Sequence, residues 1–130
     1  MKKAITRLPD AELDIMLVLW QLPVPARVID LYNGLRPIRP CTRPTIHNLL
    51  DRLEERGFVK MEIHACSQPY KLITPLISEE EYRAAESRSF VQKLCRGRWQ
   101  SLIAALIDTD EISADDLDEI SAILEKRSRS

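Results

Sequence analysis

The stretch Thr42-Arg-Pro-Thr-Ile-His-Asn-Leu-Leu-Asp-Arg-Leu-Glu-Glu-Arg-Gly57 decides the fold. It reads as one complete helix. Thr42 suits the N-cap, because its hydroxyl can accept a bond from an unpaired first-turn amide. Pro44 is tolerated there, since first-turn N–H groups have no intrahelical partner. Gly57 suits a left-handed stop after Arg56. Ile46, Leu49, Leu50 and Leu53 fall at i, i+3, i+4 and i+7, which is one buried stripe. The opposite face centres on Pro44, Asn48, Asp51 and Glu55, with Thr45, His47 and Arg52 beside it. Small polar groups and Arg43 mark the early turns, and the acids gather toward the C-terminal end. That is the layout of a recognition helix, whose first turns meet base edges in a major groove. An ordinary amphipathic helix with a solvated outer face would show the same stripe, so the flanking sequence has to choose between them.

The flanks read as three helices and a hairpin. Pro9 and Asp10 open a helix running to about Gln21, with Leu13, Met16, Leu17 and Trp20 at helical spacing and Ile15, Val18 and Leu19 widening the apolar face. Leu22-Pro-Val-Pro25 breaks it. Ala26 to Asn33 reads as a second short helix ended by Gly34. Arg36-Pro-Ile-Arg-Pro40 is a stiff basic connector from which Ile38 could join a small sheet. After Gly57 the period changes: Phe58, Val59, Met61 and Ile63 form a strand-like run, residues 65–69 a turn, and Tyr70, Leu72 and Ile73 the returning strand closed by Thr74-Pro75. Helix, helix, helix, hairpin is the order of a winged helix-turn-helix. The fold expected is therefore mainly α with a small β-hairpin, over residues 1–76.

Residues 77–130 change character. Ser78 and Glu81 form a capping box. A long helix is expected through Tyr82 and Phe90 to about Ile107, with Gly97 as a kink or interruption. Ser113 caps a last helix with Asp115 and Asp116 in its first turn. Phe90, Leu94, Leu102, Ile103 and Leu106 on the first, and Leu117, Ile120 and Leu124 on the second, make apolar faces that two helices cannot bury alone. The natural cover is the same arm of a second chain, so this C-terminal helical segment is expected to dimerise.

Composition sets limits on function. The 130 residues are 30% charged and 45% hydrophobic, a folded and soluble balance. The net charge of −1 is unevenly spread: residues 1–76 hold 11 Lys/Arg and 8 Asp/Glu, and the remainder 8 and 12. A basic front and an acidic back fit a chain that meets a polyanion with its first half. Lys2, Lys3 and Arg7 add a short basic arm. Cys41, Cys66 and Cys95 are dispersed and odd in number, which argues against disulfides or a thiolate zinc site and for reduced thiols in the cytoplasm. There is no membrane-length apolar run, signal peptide, phosphate loop or nucleophile motif, and His47 and His64 are the only histidines. No enzyme, metal or cofactor is expected.

Three stretches resemble the penicillinase repressor family. Leu8-Pro-Asp-Ala-Glu-Leu-Asp-Ile-Met-Leu-Val-Leu-Trp20 is similar to its opening helix. Thr45-Ile-His-Asn-Leu-Leu-Asp-Arg-Leu-Glu-Glu-Arg-Gly57 is similar to its recognition helix. Thr74-Pro-Leu-Ile-Ser-Glu-Glu-Glu-Tyr82, followed by Glu86-Ser-Arg-Ser-Phe90, is similar to its wing exit and linker helix. The resemblance implies a cytoplasmic homodimeric repressor that binds an inverted-repeat DNA operator and controls antibiotic-resistance or stress genes. It also implies a protease or sensor protein as a partner for induction. By position it points to Thr42, Thr45, Asn48 and Arg52 as DNA contacts. Pro44 stands where relatives often carry a lysine, a role Arg43 can take. The wing tip is longer than usual and lacks the common Gly-Arg, a departure that counts against wing contacts by His64 or Lys71. Some relatives are cleaved at an Asn-Phe bond in the arm; Ala105-Leu106 occupies that position here. Copper-responsive relatives end in a cysteine motif absent from Leu124–Ser130.

In chemical terms Asn48 fits bidentate pairing with adenine, Arg43 and Arg52 fit guanine or phosphate, and the Thr42 and Thr45 hydroxyls fit phosphate or a thymine methyl. His47 and Lys71 complete the expected DNA-binding set. Two other readings remain open on sequence alone: a winged-helix protein–protein adaptor, and a thiol- or ligand-responsive regulator.

Overall fold

A computed structural model describes residues 5–128. Lys2 and Lys3 of the basic arm lie outside the described residues. Contacts group the chain into two units, 1–86 and 87–130.

The first unit holds helices α1 (Asp10–Leu19), α2 (Val28–Leu35) and α3 (Arg43–Glu55), strands β1 (Ala26–Arg27), β2 (Val59–His64) and β3 (Tyr70–Pro75), and the first turns of α4 (Glu79–Leu94). The strands form one antiparallel sheet in the order β1-β3-β2. The hairpin runs from Val59 opposite Pro75 to His64 opposite Tyr70, and β1 adds Ala26 opposite Ile73 and Arg27 opposite Leu72. This is the winged helix-turn-helix the sequence called for. One assignment changes. Ile38 does not join the sheet and lies exposed; Ala26 and Arg27 do, because Pro23 and Pro25 keep the chain extended past α1 before α2 begins.

Ile15, Met16, Leu19, Leu31, Leu35, Ile46, Leu50, Leu53, Phe58 and Ile73 are almost fully excluded from water and make an aliphatic core between the three helices and the sheet. Leu17, grouped with the inward face on sequence, points outward at 42% exposure. Glu12 on α1 is by contrast only 1% exposed, and its carboxylate accepts a 2.8 Å bond from Arg56 Nε at the end of α3. Tyr82 of α4 closes the far side. Its hydroxyl accepts from the Leu8 amide at 3.0 Å, and its ring packs against Trp20 and, edge-on, Phe58. Trp20 Nε1 donates to the Ile77 carbonyl at 2.9 Å.

Gly34 does not end α2, which continues to Leu35. It is there for closeness: a methyl group at position 34 would stand 2.5 Å from Val18 Cγ1. Val18 is β-branched and stiff, so it cannot swing aside cheaply. Gly34→Ala is therefore expected to lose about 1–3 kcal/mol through overpacking, despite alanine's better helix propensity. Adding Val18→Ala should recover part of the loss. Urea unfolding of both variants checks this, and a stabilised single variant would count against the contact.

The second unit contains the end of α4, then α5 (Trp99–Asp108) and α6 (Ala114–Ser128). The helix from Ser78 does not reach Ile107: it stops at Leu94, where Arg96 (φ 50°) and Gly97 (φ 79°) take left-handed conformations. Two consecutive residues of this kind end a helix rather than bend it. Both capping boxes form. Ser78 Oγ accepts from the Glu81 amide at 3.0 Å, while the Ser78 amide donates to Glu81. Ser113 and Asp116 repeat the pattern at α6, and the donated Ser113 amide holds the Asp116 carboxyl below the usual carboxylate range. None of the described residues from 87 to 128 is buried. Among the described residues no helix is long and apolar enough to cross a membrane.

Candidate nucleic-acid interface

α3 is fixed at both ends by its own sequence. Thr42 Oγ1 accepts from the Thr45 amide at 3.3 Å and lies 3.0 Å from Thr45 Oγ1. Gly57 leaves the helix at φ 81°. Its approach is anchored by Arg39, whose Nε donates to Asp14 on α1 at 2.8 Å; that bond raises the guanidinium's pKa. On sequence Arg39 counted only as connector charge. Glu54 accepts from the Met61 amide at 3.1 Å and ties the wing to the side of the helix. The inner stripe is as expected: Ile46, Leu50 and Leu53 are fully buried and Leu49 nearly so.

With the stripe inside, about 100° per residue places the remaining side chains. Pro44, Asn48, Asp51 and Glu55 look outward and are exposed. Thr45 and Arg52 flank that face on one side, both exposed. Arg43 and His47 flank it on the other, turned toward the wing. The six α3 and N-cap residues expected to meet DNA thus divide into two groups. Thr42, Thr45, Asn48 and Arg52 share the outer face with its neighbouring flank. Arg43 and His47 instead line a cleft of about 320 Å3 with Lys71, Tyr70 and Pro69 of the wing and Arg27, Val28 and Ile29 where β1 enters α2. The Thr42 and Thr45 hydroxyls serve the cap, and both residues are exposed. His64 is exposed near the wing tip, its ring 5.0 Å from that of Tyr70.

Arg27 and Tyr70 were missed on sequence. The Arg27 guanidinium carbon lies 3.9 Å over the centre of the Tyr70 ring. Starting the second helix at Ala26 placed Arg27 inside it. Only the strand pairing of Arg27 with Leu72 brings it beside residue 70, since directly opposed residues and their diagonal neighbours share a sheet face. Arg43 and Arg36 approach the Tyr32 ring at 5.6 and 5.9 Å. Among the described residues no group of His, Cys, Asp or Glu could hold a metal ion. Cys41, Cys66 and Cys95 are free thiols.

The expected arm residues fall in the second unit. Phe90, Leu94, Leu117 and Leu124 are exposed at 40–71%, as are Ile107 and Ile123 on the same expected faces and, unexpectedly, Trp99. Leu102, Ile103, Leu106 and Ile120 are half-buried.

A winged helix-turn-helix with a polar, arginine-flanked third helix and a separate helical tail defines the class of protein. The family model described as the penicillinase repressor matches residues 8–126, and the chain belongs to that family. It is 27% identical to the penicillinase repressor of Bacillus licheniformis over 95% of this chain and 94% of that one. It is 25% identical to the methicillin resistance regulatory protein MecI of Mammaliicoccus sciuri over 90% and 92%. A solved structure of the DNA-binding domain of the repressor BlaI is 28% identical, covers 62% of this chain and 93% of its own, and superposes with a TM-score of 0.48.

Proposed function

We propose that the protein is a cytoplasmic, homodimeric transcriptional repressor that reads an inverted-repeat DNA operator through α3, and that it catalyses no reaction. The observation that carries this reading is the exposed outer face of α3. Asn48 stands at its centre, Thr45 and Arg52 stand beside it, and the hydrophobic stripe behind is wholly used by the core. Such a helix offers an amide for adenine and, one turn further on, a guanidinium for guanine or phosphate. Membership of the penicillinase repressor family supports the same reading, as do relatives named as resistance regulators along almost their whole length. The unburied apolar faces of α5 and α6 support a second copy as the cover.

Selection of bound duplexes from random DNA by the purified protein tests the proposal directly. The expected product is a palindromic site with half-sites about one helical turn, or a multiple of it, apart. An unselected pool, or sites without symmetry, would overturn it. On the selected operator, Asn48→Ala is expected to lose about 1–3 kcal/mol of discrimination, weakening operator binding far more than random-DNA binding. Equal losses on both would remove Asn48 from base readout.

A further inference from the structure

The geometry points to the cleft between α3 and the wing as a seat for one backbone phosphate of the bound duplex, with Arg27 as its principal donor and Tyr70 as the residue that positions it. This rests on the DNA-binding reading above and adds to it a contact from outside the recognition helix. The cleft draws on three separate elements: Arg27, Val28 and Ile29 at the start of α2, Arg43 and His47 on α3, and Pro69, Tyr70 and Lys71 on β3. Three cations and no carboxylate line it. Asp30, on α2 beside it, accepts from the Arg27 amide at 3.0 Å. Glu54, on the wing-facing flank of α3, accepts from the Met61 amide, and Glu62 on β2 pairs with Lys60 at 2.6 Å. A concave surface with this charge selects an anion.

Its place selects which anion. At about 320 Å3 and open to solvent, the cleft has room for a phosphodiester group. It sits on the flank of α3, beside the face that would enter the major groove, where a strand of the duplex must pass on its way to the wing. β1 covers only Ile73 and Leu72, so the outer edge of β3 at Tyr70 and Lys71 has no strand beside it and stays open to that backbone. The stack of Arg27 on Tyr70 is what makes the seat specific. A long arginine side chain normally gives up rotamer freedom when it binds; here the ring already holds the guanidinium 3.9 Å from its centre, with the edge N–H groups left to donate.

Arg27→Ala is expected to weaken operator and random duplex alike, by roughly tenfold at low salt, and to reduce the slope of log K against log salt by about 0.9. Arg27→Lys should keep most of the slope and recover part of the affinity. Tyr70→Phe, which keeps the ring, should behave as wild type. Tyr70→Ala should approach Arg27→Ala in affinity and, combined with it, add little. Thermal unfolding of the Arg27 variants should match wild type, since Arg27 is exposed; Tyr70 is half-buried in β3, so the affinity of Tyr70→Ala is measured well below its own unfolding midpoint. Unchanged affinity and slope for Arg27→Ala, in a wild type that does select an operator, would overturn the phosphate seat alone. A loss confined to the operator would also overturn it, by making Arg27 a base reader. A wild type that binds no duplex would overturn both this inference and the function it rests on.

Discussion

Arg56→Met is expected to destabilise the fold by about 3 kcal/mol, the low end for breaking a buried ion pair. Glu12 is the buried partner and would keep its carboxylate in the interior without a donor. The low end applies because the Arg56 side chain is itself 36% exposed, so water supplies part of what is lost. The double variant Glu12→Leu with Arg56→Met replaces both charges with apolar groups of similar length and should return to near wild-type stability or exceed it. Urea unfolding with an unchanged m-value reads both effects. A single variant within 0.5 kcal/mol of wild type, an estimate typical of a surface substitution, would show that the pair contributes nothing. The pair spans α1 and the C-terminal cap of α3. The double variant is therefore also informative about function: if it is stable but binds the operator less tightly, the ion pair sets the angle of the recognition helix.

The second large effect concerns the tail. Leu117→Asp with Leu124→Asp should convert the proposed dimer to single subunits and lower operator affinity by 10²–10⁴-fold, the gain that two linked half-site contacts have over one. Both side chains are exposed within one chain, at 41% and 62%. Charging them costs one isolated copy little, so a change of mass reports a neighbour. Light scattering on eluted protein measures mass, and a gel-shift series on the operator and on an isolated half-site measures affinity. Half-site binding should be unchanged. A wild type of single-subunit mass, or a double variant that stays paired, would count against the arm as the clasp.

What could be read from the residues alone follows from how local each signal is. Helix α3 was legible from end to end because its cap, its stripe and its stop all lie within sixteen consecutive residues. The hairpin was legible because its two runs are adjacent in sequence and alternate. The capping box at Ser78 and the cap at Ser113 were legible for the same reason. Gly34 was misread because a glycine near a helix end looks like a stop, and only the approach of Val18 from another helix gives it a different purpose. Ile38 drew attention as an extended residue of a stiff connector, whereas the position of β3 brings Ala26 and Arg27 into the sheet instead. Glu12 carried no signal of its burial in the sequence because its partner lies 44 residues away. Within the candidate site, the α3 residues were found together, but Arg27 was not, since its role depends on a ring 43 positions later in the chain.

The bond from the Leu8 amide to the Tyr82 hydroxyl joins positions 74 apart. It means that the reading head of this molecule is sewn shut only once translation has passed well beyond the wing. A piece severed at the wing's last proline would be missing Ile77 and Tyr82. It would leave Trp20 and Phe58 open to solvent, with an interior amide lacking its acceptor. The start of the linker helix is thus part of the head's own lid, and anyone wishing to study the head by itself must carry that turn along.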